Sequence, residues 1–447
     1  MLRNRLVPKM AAVLAAVAVL SVTACGSSDN GGTTPAAASS LAPGQKVNLQ
    51  FWSWVPGIDK AVDLWNQQNP NIHVTLQQIP SGSAGGYAKM HAALKAGTAP
   101  DLAQVEYQEI PSFLMDKGLV DLSKYGADAD ASKFIPWQWQ QGVFGGQVYA
   151  IPQASGPMGF FYRADLFAKA GITKPPATWA EYEQDAIKIH QQNPNAYIGT
   201  FPPGNSAWFT ALAWQAGADW FGTDGNNWTV NIDSPATEKV AAYWDRLRKE
   251  GVIKTEPDFA NGWYKDLQTG DITGWVSAQW GDAIIEGNAP KTAGKWKVAP
   301  LPQWTAGGTA SANWGGSSTA VLADSKYPAQ ALQFATWLNS DSQSIAALIK
   351  GGYGWPAATS GYVGSSLDQA STFFSGQKYN DVFAEADKNI DESWKWIPTI
   401  DQAYQHLDDG FSAAVAGKGS FVDAVKSAQG QVVSDMKSAG FQVSSGS

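Results

Sequence analysis

Val47 to Phe51 reads VNLQF, with apolar and polar residues alternating, and Ile72 to Leu76 reads IHVTL in the same way. Period two predicts a strand at each. Between them Ile58, Val62 and Trp65 recur at i, i+4 and i+7, which predicts a helix stopped at Asn69-Pro70. Strand, helix and strand within about 30 residues make a βαβ unit and imply a parallel sheet. Tyr87, Met90 and Leu94 mark the next helix, closed by Gly97, and the run PDLAQV predicts a third strand.

Later segments are punctuated the same way. Thr178 to Glu181 (TWAE) has capping-box spacing just after Pro175-Pro176. Ser234-Pro235 places a cap and a first-turn proline ahead of Val240, Tyr243, Trp244 and Leu247, and Gly251 stops that helix. Ala331, Phe334, Ala335 and Leu338 repeat the stripe after Pro328, and the chain beyond about Asp368 reads mostly helical. These apolar faces are expected to pack as core. No internal repeat is found.

The amino terminus has another pattern. Arg3, Arg5 and Lys9 precede an almost unbroken run of Ala, Val and Leu from Met10 to Leu20. That run is shorter than the ~20 residues a bilayer requires but suits the apolar core of a secretory signal. Val22-Thr23-Ala24-Cys25 resembles the bacterial lipobox, and Cys25 is the single cysteine of the chain. The resemblance implies a signal peptide over residues 1–24 and a diacylglycerol on the Cys25 sulfur. A further acyl group, such as palmitate, on the new amino terminus would anchor the protein at the extracytoplasmic face of the bacterial cell membrane, because two or more chains hold firmly. A secreted protein with a leftover thiol is the alternative. Residues 25–44, poor in apolar bulk, read as a flexible tether.

Charge and composition narrow the classes. The net charge of −8 becomes −11 without residues 1–24, which argues against a nucleic-acid partner. His73, His91, His190 and His406 are scattered, and neither a metal nor a cofactor site is expected. The length favours two lobes over one core. The chain has 21 Trp against 18 Phe and 14 Tyr. Indole pairs a broad apolar face with one donor, so the excess hints at stacking on sugar rings.

Several blocks, in order, resemble the extracellular solute-binding proteins of ABC sugar importers, the maltose-binding-protein type. They are FWSWVPGIDKAVDLWNQQNPNIHVTLQQIP, ALKAGTAPDLAQVEY, VYAIPQASGPMGFFYRADLFAKAGITKPPATWAEY, LQTGDITGWVSAQWGD and WGGSSTAVLADSKYPAQALQFATWL. Arg163 departs from the pattern, standing where the family often has Asn after Tyr. The resemblance implies a two-lobe α/β fold of the periplasmic-binding-protein type II, with parallel-rich sheets flanked by helices and a ligand cleft at the hinge. Residues 45–154 and 303–356 would form one lobe, and 155–302 and 357–447 the other. It implies a monomer that captures a sugar or oligosaccharide and delivers it to membrane permease subunits.

Candidate ligand contacts follow from strand ends and lobe crossings. Trp54 follows the first strand, with hinge-side packing as the alternative. Glu106 and Tyr107 end PDLAQV where the family places polar contacts, and a carboxylate accepts two hydroxyls at once. Ser155 and Gly156 lie in a crossing where backbone could approach a ring. Trp208 opens a helix beside Asn205-Ser206 and could equally be core. Trp280 stands where the family pattern has an aromatic platform, with Asp282 as a hydroxyl acceptor. Trp314 and Gly315 pair a ring with backbone N–H groups. Trp355 and the Trp394/Trp396 pair complete the set, unless they anchor C-terminal helices. A polyamine or peptide binder and a glycoside hydrolase are the rival readings; the latter needs two facing carboxylates. No catalytic residue is assigned.

Overall fold

The computed structural model describes residues 42 and 44–446, apart from 225 and 226. The expected signal peptide, Cys25 and nearly all of the expected tether lie outside the described residues. The alternation at the start of the chain folds as it reads. Val47–Ser53 turns Val47, Leu49 and Phe51 into the core and pairs in parallel with Ile72–Gln78 and Leu102–Glu106. Helix Ile58–Gln68 buries Ile58, Ala61, Val62 and Trp65, and the Trp65 indole N–H donates to Ile72 O at 2.9 Å. That bond ties the helix to the strand following it.

Six strands make the first sheet, in the order Trp355–Pro356, Ala150–Ser155, Ser317–Val321, Leu102–Glu106, Val47–Ser53, Ile72–Gln78. Ser317–Val321 is antiparallel to both neighbours. In the second sheet Met158–Arg163 is flanked by Gly274–Ala278 and Trp296–Pro300, both antiparallel. The expectation of parallel-rich sheets is therefore corrected: parallel pairing in the first sheet is confined to its three βαβ strands. The cause is direction of entry. Leu102–Glu106 ends at Glu106, level with Ser317, where the next strand begins its run the opposite way.

The chain passes from one sheet to the other at residues 155–158. It returns at 312–317, where Met158 N–H donates to Ala312 O and Trp314 N–H to Gly156 O. Before that return, Gln303 exchanges backbone bonds with Ala177 and Trp179, and Ser311 N–H donates to Asn389 O, so residues 303–311 stay with the second sheet and its helices. A third passage follows Trp355–Pro356 and leads to helix Asn380–Asp387, which packs on Met158–Arg163 and Trp296–Pro300. Helices Ile400–Val415 and Phe421–Ser438 pack together, the latter also against Pro235–Lys249.

Most indoles serve packing, contrary to the hint from composition. Trp65, Trp179, Trp208, Trp220, Trp244, Trp263, Trp296 and Trp355 are among the largest fully buried side chains. A buried Trp is tolerable when its N–H finds an acceptor: Trp208 donates to Val276 O at 2.9 Å and Trp179 to Gln215 at 3.0 Å. Arg163, the residue that departs from the family pattern, is buried with its guanidinium on both oxygens of Asp165.

Candidate functional site

Where the ends of Leu102–Glu106 and Ala150–Ser155 meet the first two crossings, a cleft of about 420 Å³ opens. Residues from both sheets line it. Its aromatic part is built from Trp280, Trp314 and Phe259. The Trp280 and Trp314 rings lie 4.6 Å apart, and the Trp280 indole N–H donates to Trp314 O at 3.1 Å. Phe259 lies 6.2 Å from each ring and is 38% exposed. Its φ of +58° is in the left-handed region, costly for an aromatic residue. Such strain persists only where surroundings impose it, and it clusters at ligand sites.

The polar part is held by its own network. Gln104 accepts from the Ser53 hydroxyl at 2.8 Å and the Trp54 N–H at 3.2 Å, while its amide donates to Ser317 at 3.3 Å. Glu106 accepts from the Tyr87 hydroxyl at 2.7 Å. Burial pushes its carboxyl above the ordinary range, against the pull of that hydroxyl. Asn313 accepts from Gly156 N–H at 2.8 Å and donates to Gly315 O at 2.7 Å, fixing the backbone beside Trp314.

Of the residues expected from the sequence, Trp54, Glu106, Ser155, Trp280, Trp314 and Gly315 line this cleft together. The other six lie elsewhere. Tyr107 is buried, its hydroxyl directed to Gln138 at 3.4 Å. A Cβ on Gly156 would stand 2.0 Å from Trp314 O, so this glycine lets the two crossings touch. Trp208 packs 5.0 Å from Trp244 in the core beside the second sheet. Asp282 is buried and accepts from Tyr379 at 2.6 Å and Gln279 at 2.7 Å; burial lifts its carboxyl to about 7. The Trp355 indole donates to Asp387 at 3.2 Å, and Trp394 stacks on Trp214 at 4.8 Å. Trp396, the second member of its pair, lines the cleft instead.

Sequence reasoning did not single out Gln104, Asn313, Phe259 or Tyr404, which also line the cleft. Gln104 left a readable signal, a polar side chain inside the apolar run of PDLAQV. Phe259 left none, because a backbone angle does not show in residue type. Glu106 is the single carboxylate among the described lining residues, and no group of three or more His, Cys, Asp or Glu among the described residues could hold a metal ion. No helix among those residues is long and apolar enough to cross a membrane. The arrangement offers broad apolar ring faces beside fixed hydrogen-bond donors and acceptors.

Comparison with known proteins gives a consistent picture. Residues 51–345 match the family model of the bacterial extracellular solute-binding protein. The chain is 25% identical over 293 residues to an arabinooligosaccharide-binding protein of Halalkalibacterium halodurans, covering 62% of this chain and 63% of that one. It thus spans just under two thirds of that relative. An arabinooligosaccharide-binding protein of Bacillus subtilis is 22% identical over 396 residues, covering 86% of this chain and 89% of its own. Among solved structures, the galacto-N-biose-/lacto-N-biose I-binding protein of the ABC transporter from Bifidobacterium longum, in complex with lacto-N-biose, superposes with a TM-score of 0.82. It is 27% identical and covers 90% of this chain and 100% of that one.

Proposed function

The chain belongs to the bacterial extracellular solute-binding proteins, and from that premise we propose that it captures a sugar or oligosaccharide for an ABC importer. One observation carries the reading: Trp280, Trp314 and Phe259 share a cleft with Glu106, Gln104 and Asn313. Sugar rings have apolar faces made of C–H groups and edges made of hydroxyls, and the two halves of the lining suit those two surfaces. The sugar-binding relatives support the same class.

Six of the expected contacts remain in the proposal: Trp54, Glu106, Ser155, Trp280, Trp314 and Gly315, joined by Phe259. The lobes in this reading are 45–154 with 303–356 and 155–302 with 357–447; the bonds of Gln303 and Ser311 favour moving the second boundary to about residue 312. A ligand touching both lobes binds the closed form better than the open one and shifts the population toward it. The closed protein would hand its cargo to permease subunits as a monomer, tethered by a lipid on Cys25 at the outer face of the cell membrane. No catalytic step belongs to this reading, which follows the binding proteins that the chain resembles. The single carboxylate among the described lining residues suits a neutral ligand better than a polyamine.

The test is thermal unfolding and calorimetry of residues 26–447 against saccharides, short peptides and polyamines. A ligand at 100 times its Kd adds about 2.7 kcal/mol of stability. Stabilisation by a group of saccharides, lost in Trp280→Ala, is the expected result. Stabilisation by polyamines or peptides alone would overturn the carbohydrate reading.

A further inference from the structure

Two loops leave the same end of a two-stranded sheet, and both reach the cleft. Lys254–Thr255 pairs in parallel with Thr200–Phe201, so the segments that follow, 202–205 and 256–260, set out together. The first ends at Asn205 and the second carries Phe259, and both of these residues line the cleft. Asp258 is half-buried and is not among the described lining residues.

A side-chain bond joins the two loops: the Asn205 amide donates to the Asp258 carboxylate at 2.7 Å. Asn205 is itself fixed. Its side-chain oxygen accepts from Trp208 N–H at 3.3 Å, capping helix Ser206–Gln215. Ser206 N–H donates to Asp408 at 2.8 Å, which anchors that helix start on Ile400–Val415. On the other loop, Asp258 immediately precedes the strained residue. Phe259, at φ +58°, has no polar side-chain atom by which to be held, and its ring lies 5.7 Å from Trp263 as well as near Trp280 and Trp314. Ring contacts settle where a side chain rests but do not make a left-handed backbone favourable. Such a backbone persists only where its neighbours over-determine it, and a carboxylate one residue away, pinned to a capped helix, supplies that restraint.

We propose that Asp258 is a positioning residue for the cleft: by holding Asn205 it keeps Phe259 in the left-handed conformation, so the third ring is in place before a saccharide arrives. The inference rests on the carbohydrate reading of the cleft. Ordering a wall in advance removes that cost from binding. With the clasp undone, Phe259 relaxes to negative φ, its Cβ changes direction, and the ring leaves Trp280 and Trp314. The effect on ligand then passes through Phe259, and this separates it from general support of the fold.

The experiment measures Kd by calorimetry for a saccharide panel that includes maltose, cellobiose, galactobiose and arabinobiose. The proteins are the parent, Asp258→Ala, Phe259→Gly, those two changes together, and Asn205→Asp with and without Asp258→Asn. Asp258→Ala should bind about tenfold more weakly than the parent. Added to Phe259→Gly it should cost nothing further, because glycine takes a positive φ freely and the ring is already gone. Asn205→Asp keeps an oxygen to cap the helix but sets it against a second carboxylate. It should lose about tenfold, and adding Asp258→Asn, which restores a donor facing an acceptor, should recover most of that loss. The inference is overturned if Asp258→Ala binds like the parent, or weakens the parent and Phe259→Gly by the same factor. Failure of the exchanged pair to recover affinity overturns it as well, and that pair decides the matter should Asp258→Ala not fold. Each of these results leaves saccharide binding by the parent intact. If no saccharide binds the parent, the carbohydrate reading falls, and this inference with it.

Discussion

Glu109 closes the short turn after strand Leu102–Glu106 and is buried, its carboxylate accepting from Ser112 at 3.3 Å. Burial, and then the nearby charge of Asp401, push its carboxyl from 4.5 up to about 9. The fold therefore holds a proton that the unfolded chain releases above about 4.5. Its stability is full below that value and is lost as pH rises through about 9. Glu109→Gln should raise the unfolding midpoint at pH 8 and leave it nearly unchanged at pH 4; equal shifts at both would refute the account. Phe259 makes a second prediction at this scale. Phe259→Gly relieves a positive φ worth roughly 1–2 kcal/mol but removes a ring from the cleft. Stability should hold or rise in chemical denaturation while saccharide affinity falls. Single residues were the least legible part of the sequence. Trp394 and Trp396 are two positions apart in one loop, yet one stacks in the core and the other lines the cleft. Residue type records that an indole is present, and only packing decides which way it points.

Elements were easier to read, because their periods are local. The stripe of Ile58, Val62 and Trp65 and the cap at Thr178, whose hydroxyl accepts from Glu181 N–H at 3.1 Å, both form as the pattern implies. Strand direction was not legible beyond the first βαβ units, since it depends on which end of a sheet a distant segment enters. The crossings show the cost of error at this scale. Gly156→Ala would drive a methyl into Trp314 O, and backbone cannot yield as a flexible side chain can. We expect a loss of more than about 2 kcal/mol in chemical denaturation, with weaker ligand binding because Trp314 is displaced. Asp387 is the matching polar tie. Its buried carboxylate accepts from Trp137 at 3.0 Å, Trp355 at 3.2 Å and Gln138 at 3.4 Å. Asp387→Ala strands two buried indole donors, at about 1–3 kcal/mol each.

For the whole molecule, the block order in the sequence carried the two-lobe fold, while the cleft took shape only through contacts between distant segments. Trp54, Ser155, Trp280 and Trp314 are up to hundreds of residues apart and meet because the first two crossings run side by side. Ligand binding across that junction should stabilise both halves together, so unfolding monitored by near-UV and far-UV signals should keep one shared midpoint when saccharide is added. Two midpoints that separate on adding ligand would show that the halves are not coupled through the cleft. The three crossings also bear on the order in which the molecule can assemble. Ser317–Val321 lies in the interior of the first sheet, between strands that precede it by more than a hundred residues, and the second half is completed only by Phe421–Ser438. An emerging chain would hold Ala150–Ser155 without a neighbour on the Leu102–Glu106 side until Ser317–Val321, more than two thirds of the way along its 447 residues, was available. The first sheet is complete once Trp355–Pro356 has emerged, whereas the second half waits for Phe421–Ser438. Because each half is built from separated segments, exchanging one with a relative would require a cut at every crossing rather than one splice.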